Sequence, residues 1–295
     1  MAEVATRWQT RSLAFRPSLA SGLRNRQLTA GLTLVVGLAL VGLLGSALLG
    51  TEGLKLGGAG FVRPPTLARP LGTDASGRDV GVFVVHAILP TLEIGLIAGG
   101  IGTAIGVVLG LLTGFLRGPI DSVVRTAADV ALAIPALAVL VVISAYVRVQ
   151  SVELMAVVVA LFAWPFPTRS IRAQTLTLRE QGFVEIARLS GKGELRIAFT
   201  EILPNLLPYI VAGFVSAVFG GILASVGLQL LGLGPRLVPT LGLMLEEAFQ
   251  AGAIVRNLWW WWGAPTLTLI LLFVGLFMVS LGLDELANPR LRRGR

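Results

Sequence analysis

The chain has 295 residues, 55% of them hydrophobic and only 14% charged, whereas a soluble domain carries about a quarter charged residues, so the composition belongs to the membrane class. With no cysteine and a single histidine, His86, disulfides, thiolate nucleophiles, iron-sulfur ligation and Cys-containing zinc sites are excluded, and a Ser-His-Asp arrangement has one possible base. The net charge of +8 is not gathered into a basic patch interleaved with aromatics, which argues against nucleic acid as the partner.

A basic segment, 1–28, precedes "TAGLTLVVGLALVGLLGSALLG" (29–50), an uncharged run long enough to cross a hydrocarbon core of about 30 Å as a helix. It exceeds the usual apolar stretch of a signal peptide and lacks a clear cleavage site, so it reads as a retained helix. Residues 51–90 follow as an extracytoplasmic segment containing the Gly-rich turn "PLGTDASGRDV", and further apolar runs lie at 91–116, 123–147, 152–168, 206–233 and 264–283. The reading is an all-α integral membrane protein of six transmembrane helices, with its core over 91–283, a polar loop at 169–205 and a tail at 284–295. The fourth run is short and ends in "WPFP".

In the second run Gly99, Gly100, Gly102, Gly106 and Gly110 make a small-residue face suited to close helix packing, either against another subunit or within the chain. His86 beside this run reads as an interfacial side chain, and no metal site is expected. Trp259 to Trp262, just before the last run, read as rings anchored in the outer headgroup region.

Orientation follows from the basic residues. Of the 24 Lys and Arg, 17 fall in 1–28, 117–125, 169–205 and 284–295, which places both termini and the 169–205 loop in the cytoplasm.

Within that loop, "EQGFVEIARLSGKGELRIAFTEILPNLLP" (180–208) is unusually polar for this chain. Phe183, Ile186, Ala187 and Ser190 recur at spacings of three and four, predicting a short helix with an apolar stripe opposite Glu185 and Arg188. Gly191 ends it. A second helix begins near Gly193 or Glu194, carries Leu195, Ile197, Ala198, Phe199 and Ile202 on its apolar side, and is limited by Pro204 and Pro208 before the chain re-enters the membrane. Such an elbow can lie in the headgroup region or fill a groove on a cytosolic protein. The mixed charges (Glu180, Glu185, Glu194 and Glu201 against Arg188, Lys192 and Arg196) favour the protein partner, because an interfacial helix would be basic.

These residues resemble the cytoplasmic loop of ABC importer permeases, whose pattern is Glu-Ala-Ala, three residues, Gly, nine residues, Ile-x-Leu-Pro. Glu185, Ile186, Ala187, Gly191, Leu203 and Pro204 occupy matching positions, with Ile202 near the remaining apolar one. The turn Gly72, Thr73, Asp74, Gly77, Arg78 and Asp79 is similar to the Gly-Thr-Asp-x-x-Gly-Arg-Asp element of permeases for oligopeptides, dipeptides and nickel. "LGLGPRLVPTLGLMLEEA" (231–248) and "LGLDELANPRLRR" (281–293) resemble further stretches of that family. The chain departs from the pattern at Ile186, where the second Ala is usual, at Thr200 and Glu201, where a basic pair is frequent, and in the residues after Asp284.

The resemblance implies a type I ABC importer permease in the bacterial cytoplasmic (inner) membrane. Its partners would be a homologous second permease, two ABC ATPase subunits that bind ATP and Mg, and an extracytoplasmic solute-binding protein. The chain itself would hold no cofactor and no catalytic residue, and the segment carrying Phe183, Glu185, Ile186, Ala187, Arg188, Gly191, Lys192, Glu194 and Arg196 would be the ATPase-coupling helix. Short peptides are the first expectation for the substrate, with nickel or another small solute as the alternative. "LSGKGE" lacks the first Gly and the hydroxyl of a phosphate-binding loop, so this chain is not expected to hydrolyse ATP.

Glu93 and Asp129 are the acidic residues placed within apolar runs, and each has two readings. Either could line the translocation path, or Glu93 is hydrated at the outer interface and Asp129 pairs with Arg125. Asp74, Arg78 and Asp79 could meet a cation or a binding protein, or form a local turn network. A membrane enzyme would need a nucleophile with a base, and an ion-driven transporter working alone would need charged coupling sites. Neither is evident in the sequence.

Overall fold

A computed structural model describes residues 25–116 and 118–287. Most of the basic N-terminal segment and of the 284–295 tail lies outside the described residues. The described chain is helical, with only two isolated β-bridges and no extended strand.

Helix α1 (Arg26–Leu49) is capped by Asn25, whose side-chain oxygen accepts from Gln27 N and Leu28 N, a standard way to satisfy first-turn donors. The Asn25 amide donates to Gly282 O at 3.2 Å and Glu285 Oε2 at 3.0 Å, joining the start of α1 to the end of the last helix. Elsewhere α1 leaves Leu32, Val36, Leu40, Leu44 and Leu48 exposed, as a helix in hydrocarbon can.

Helix α2 (Val80–Leu116, 37 residues) is about 55 Å long. The expected start at 91 is corrected to 80. Asp79 opens the helix by accepting from Gly81 N (2.8 Å) and Val82 N (3.1 Å), and Pro90 lies inside it rather than at its beginning.

The expected third span, 123–147, is two helices, α3 (Pro119–Ala133) and α4 (Ala136–Val147), bent by 85°. Pro135 has no N–H to continue α3 and holds Ile134 extended at φ −77°, ψ 132°, as the residue before proline prefers. The expected fourth span, 152–168, is α5 (Val152–Ala160) and α6 (Pro165–Arg179), bent by 49°. Here the prolines open a helix, with Pro165 in its first turn. Helix α6 therefore runs well into the stretch read as a loop from 169.

The elbow consists of α7 (Gly182–Leu189), α8 (Glu194–Ile197) and a π turn (Ala198–Ile202) that leads directly into α9 (Leu203–Leu230). Pro204 and Pro208 do not separate the second short helix from the membrane run, which forms one continuous helix over Glu194–Leu230. Each proline leaves the carbonyl four residues earlier without its helical donor, and at Pro204 the wider π turn absorbs the mismatch.

Helices α10 (Leu241–Gln250) and α11 (Trp259–Ala287) complete the fold. Trp259–Trp262 form the first turn of α11. Trp260 and Trp261 are buried in the core and only Trp259 is well exposed, so the tetrad is not a simple belt of interfacial rings. Four helices are long and apolar enough to cross a membrane, or up to six if each bent pair is one span.

Helix α2 is the centre of the packing. It touches α6 and α9 over long stretches and also α1 and α5. Its glycines make this possible, because added Cβ atoms would meet neighbouring backbone. At Gly99 the Cβ would lie 2.7 Å from Val218 N, at Gly102 2.5 Å from Ala163 Cβ and at Gly110 2.7 Å from Thr168 O. Gly106 is closed by Pro167 and Thr168. These four glycines pack within the chain, while Gly100 faces open space apart from the Phe214 ring edge at 4.0 Å.

Substituting Gly99 or Gly110 with Val should destabilise the protein by about 1–3 kcal/mol or more through overpacking. Gly213→Ala, where nothing lies within 4 Å, should be neutral or stabilising by about 0.5–1 kcal/mol. Thermal unfolding of the purified variants in detergent checks both.

Candidate functional site

Three groups of predicted residues can now be placed. The first is the elbow. Helix α7 ends in a Schellman motif: Lys192 N donates to Ala187 O (3.2 Å) and Gly191 N to Arg188 O (2.9 Å), with Gly191 at φ +77°. No atom lies within 4 Å of a Cβ at Gly191, so the backbone angle alone requires glycine.

The stripe that faces inward is Val184 and Ala187, with Phe183 half-buried, rather than Ile186 and Ser190. Val184 and Ala187 pack with Ile197, Ala198, Ile202 and Leu206, and with Leu111 and Phe115 at the end of α2. Ile186 is 66% exposed and Leu189 83% exposed, and Leu195 and Phe199 are exposed as well. The elbow thus carries apolar residues on two faces, one keyed to the helices and one open. Glu185 and Arg196 are exposed beside the open face.

Its charged residues tie the bend together. Arg188 donates to both Glu194 oxygens (3.0 and 3.3 Å), and Lys192 pairs with Glu201 at 2.5 Å. The Arg188 guanidinium lies 5.6 Å from the centroid of the Phe115 ring, and Arg179 donates to Phe115 O at 2.6 Å. Phe115 and Arg179 were not legible as part of this group, since no local spacing relates them to it.

The second group is the turn Gly72–Asp79. Gly72 (φ +61°) and Gly77 (φ +72°) supply its reversals. A Cβ at Gly72 would lie 2.5 Å from Arg63 O, and one at Gly77 2.8 Å from Gly57 Cα. Thr73 Oγ1 donates to Gly60 O and accepts from Arg63 N, each at 2.7 Å, and Trp260 Nε1 donates to Thr73 O at 3.3 Å.

Asp74, 1% exposed, accepts from Ser76 N (2.8 Å), Arg78 N (2.9 Å) and Arg78 Nε (2.6 Å). Arg78 also pairs with Glu247 of α10 and lies 4.6 Å from the Phe83 ring centroid. Asp79 caps α2. The turn is therefore a clamp joining 57–79, α2, α10 and α11. Burial pushes the Glu247 carboxyl above the usual carboxylate range, against the pull of its hydrogen bond and charge pairing with Arg78.

The third group does not assemble. Glu93 is exposed on α2 and Asp129 on α3. Asp129 meets Arg169 at 3.7 Å rather than Arg125, while its neighbour Asp121 receives two bonds from Arg172 (2.5 and 2.8 Å). A cavity of about 290 Å³ between α4, the α5–α6 bend and α9 is lined by Ala136, Leu140, Phe162, Phe166, Ser216 and Gly220 among others. Glu93 and Asp129 do not line it.

Comparison with known proteins decides the lineage of this architecture. Residues 106–293 match the family model described as "Binding-protein-dependent transport system inner membrane component". The chain belongs to this family.

The chain is similar to the oligopeptide transport system permease protein OppC of Lactococcus lactis subsp. cremoris, 28% identical over 78% of each chain. It is also similar to the glutathione transport system permease protein GsiD of Shigella flexneri, 33% identical over 77% of this chain and 74% of the relative. The GsiD of Escherichia coli strain 536 is 31% identical over the same shares. As a member, the chain is a multi-pass permease subunit of the inner membrane, and the matched region covers the elbow, the cavity and α10. The turn at 72–79 lies outside it.

The clamp gives a test within this permease. Arg78→Met strips the buried Asp74 and the half-buried Glu247 of their cation and should cost about 3–5 kcal/mol. Glu247→Gln removes a charge that burial already disfavours and should stay within about 1 kcal/mol of wild type. A carboxyl whose pKa is raised by folding contributes most when protonated, so the stability of Glu247→Gln relative to wild type should rise as pH increases above 4.5. Unfolding followed against pH in detergent measures both effects.

Proposed function

We propose that this permease forms half of the translocation path of an ATP-driven importer for short peptides, and that the 182–202 elbow is its coupling lever. The observation that carries the reading is the elbow's double apolar character. Its inner face is built into the ends of α2, α6 and α9, while Ile186, Leu189, Leu195 and Phe199 stay open to a partner. An exposed apolar patch edged by charges is the form expected of a helix seated in a protein groove. The partner is an ATPase subunit, one of two that bind ATP and Mg, while a second, homologous permease completes the path and a solute-binding protein delivers cargo outside.

Six spans follow if each bent pair crosses once, and the excess of basic residues over 169–205 supports a cytoplasmic elbow. An even number of crossings agrees with the Asn25 contacts to Gly282 and Glu285, which bring the two ends of the helical bundle together. Peptide cargo is supported by likeness to permeases named for oligopeptide and glutathione transport. In the cycle, ATP binding draws the ATPases together, the elbow moves with them, and its inner face carries the shift to α2 and α9, opening the path outward; hydrolysis returns it.

Gly191→Pro, Glu185→Arg and Ile186→Asp, expressed in the assembled complex, should leave the permease in the membrane. Each should reduce copurified ATPase subunits or substrate-stimulated ATP hydrolysis by about tenfold or more, the scale of an interface hot spot of about 1.4 kcal/mol or above. Unchanged copurification and unchanged hydrolysis in all three would make the elbow a mere connector and overturn the coupling role.

A further inference from the structure

A second cavity lies where the link between α4 and α5 meets the link between α9 and α10. It encloses about 460 Å³ and is lined by Ser144, Arg148, Gln150, Gly232, Gly234 and Arg236, with apolar wall from Val149, Leu233 and Leu237. This volume is in the range of small-molecule sites. Arg148 and Arg236 are two of the seven basic residues that fall outside the cytoplasmic excess.

Two observations make this cavity more than a surface hollow. Arg148 has no carboxylate partner among the described residues and stands in the left-handed region at φ +51°. Arg236 donates to Glu246 Oε1 at 2.9 Å, and Glu246 is itself 1% exposed, so a buried carboxylate orients this guanidinium at the cavity wall.

Two guanidinium groups against one carboxylate leave a single positive charge. We propose that the cavity is a recognition site for the carboxylate group of a small solute. Arg148 supplies the unpaired charge and Arg236 a second, pre-oriented set of donors. Arginine suits the role because its planar fork matches a carboxylate in two bonds. The apolar wall beside it accepts a neighbouring side chain. On the proposed orientation and peptide cargo, on which the identity of the solute rests, the site faces the extracytoplasmic side and holds the C-terminal carboxylate of a peptide entering the path.

The assembled transporter in lipid nanodiscs, without binding protein, is titrated by saturation-transfer NMR with trialanine, trialaninamide and acetate. Trialanine should bind at least tenfold more tightly than trialaninamide, and Arg148→Gln, an exposed substitution that touches no core, should abolish that preference. Equal binding of the acid and the amide, no binding of either trialanine or acetate, or an unchanged preference in Arg148→Gln would each overturn the site. Acetate binding that depends on Arg148, with no binding of trialanine, would keep the carboxylate site and overturn peptide as its occupant. Copurification of ATPase subunits is unaffected by any of these outcomes and tests the importer reading separately.

Discussion

The structure depends on how closely other backbones approach α2. A helix in lipid gains little from the hydrophobic effect when it meets another apolar helix, so contact area and close fit must hold the bundle together. Along α2, Gly99 admits α9, while Gly102, Gly106 and Gly110 admit the α5–α6 bend. One rod thus seats three elements at distances that any side chain would forbid, and the sharp bend between α5 and α6 follows the surface that these glycines create.

The two ends of this rod carry opposite chemistry. At its N-terminal end a largely buried Asp-Arg-Glu clamp gathers α2, α10 and α11, with Asp79 opening the helix and Trp260 bonded to the turn. At its C-terminal end Phe115 is held by Arg179 through its carbonyl and lies near Arg188 on the elbow. The polar groups at each end are satisfied by one another, which is what a low-dielectric neighbourhood demands of them. The middle of the rod is almost wholly apolar and small. A displacement of the elbow would therefore meet a helix anchored at both ends, with little side-chain slack between.

What the sequence made legible was whatever depends on local spacing. The apolar runs, the glycine that stops α7 and the polar elbow all rest on periodicity or on a single backbone requirement, and Gly191 at φ +77° is the clearest case. Helix limits at proline were harder to read, since one residue type opens α6 at Pro165, lies inside α2 at Pro90 and breaks α3 from α4 at Pro135. Proline removes a donor in each case, and which result follows depends on tertiary packing that no local pattern encodes. The inward face of α7 was misjudged because Val184 and Ile186 are equally apolar, and only the location of Ile202 and Leu206 selects Val184. Partners such as Glu247 for Arg78 or Arg169 for Asp129 lie far away in the chain and had no signal at all.

The break between α3 and α4 has a further consequence for solvation. Around Ile134 and Pro135 the regular ladder of backbone bonds is interrupted, and these residues lie on the surface of the chain. Hydrocarbon offers no hydrogen bonds, so irregular backbone at membrane depth is tolerated only beside protein or water. If α3 and α4 cross as one span, the flank carrying this break cannot be the one wetted by lipid tails. On that arrangement the break would set an inside and an outside for the subunit within the plane of the bilayer, with α1 and its exposed leucines turned to the acyl chains and the broken helices turned away from them.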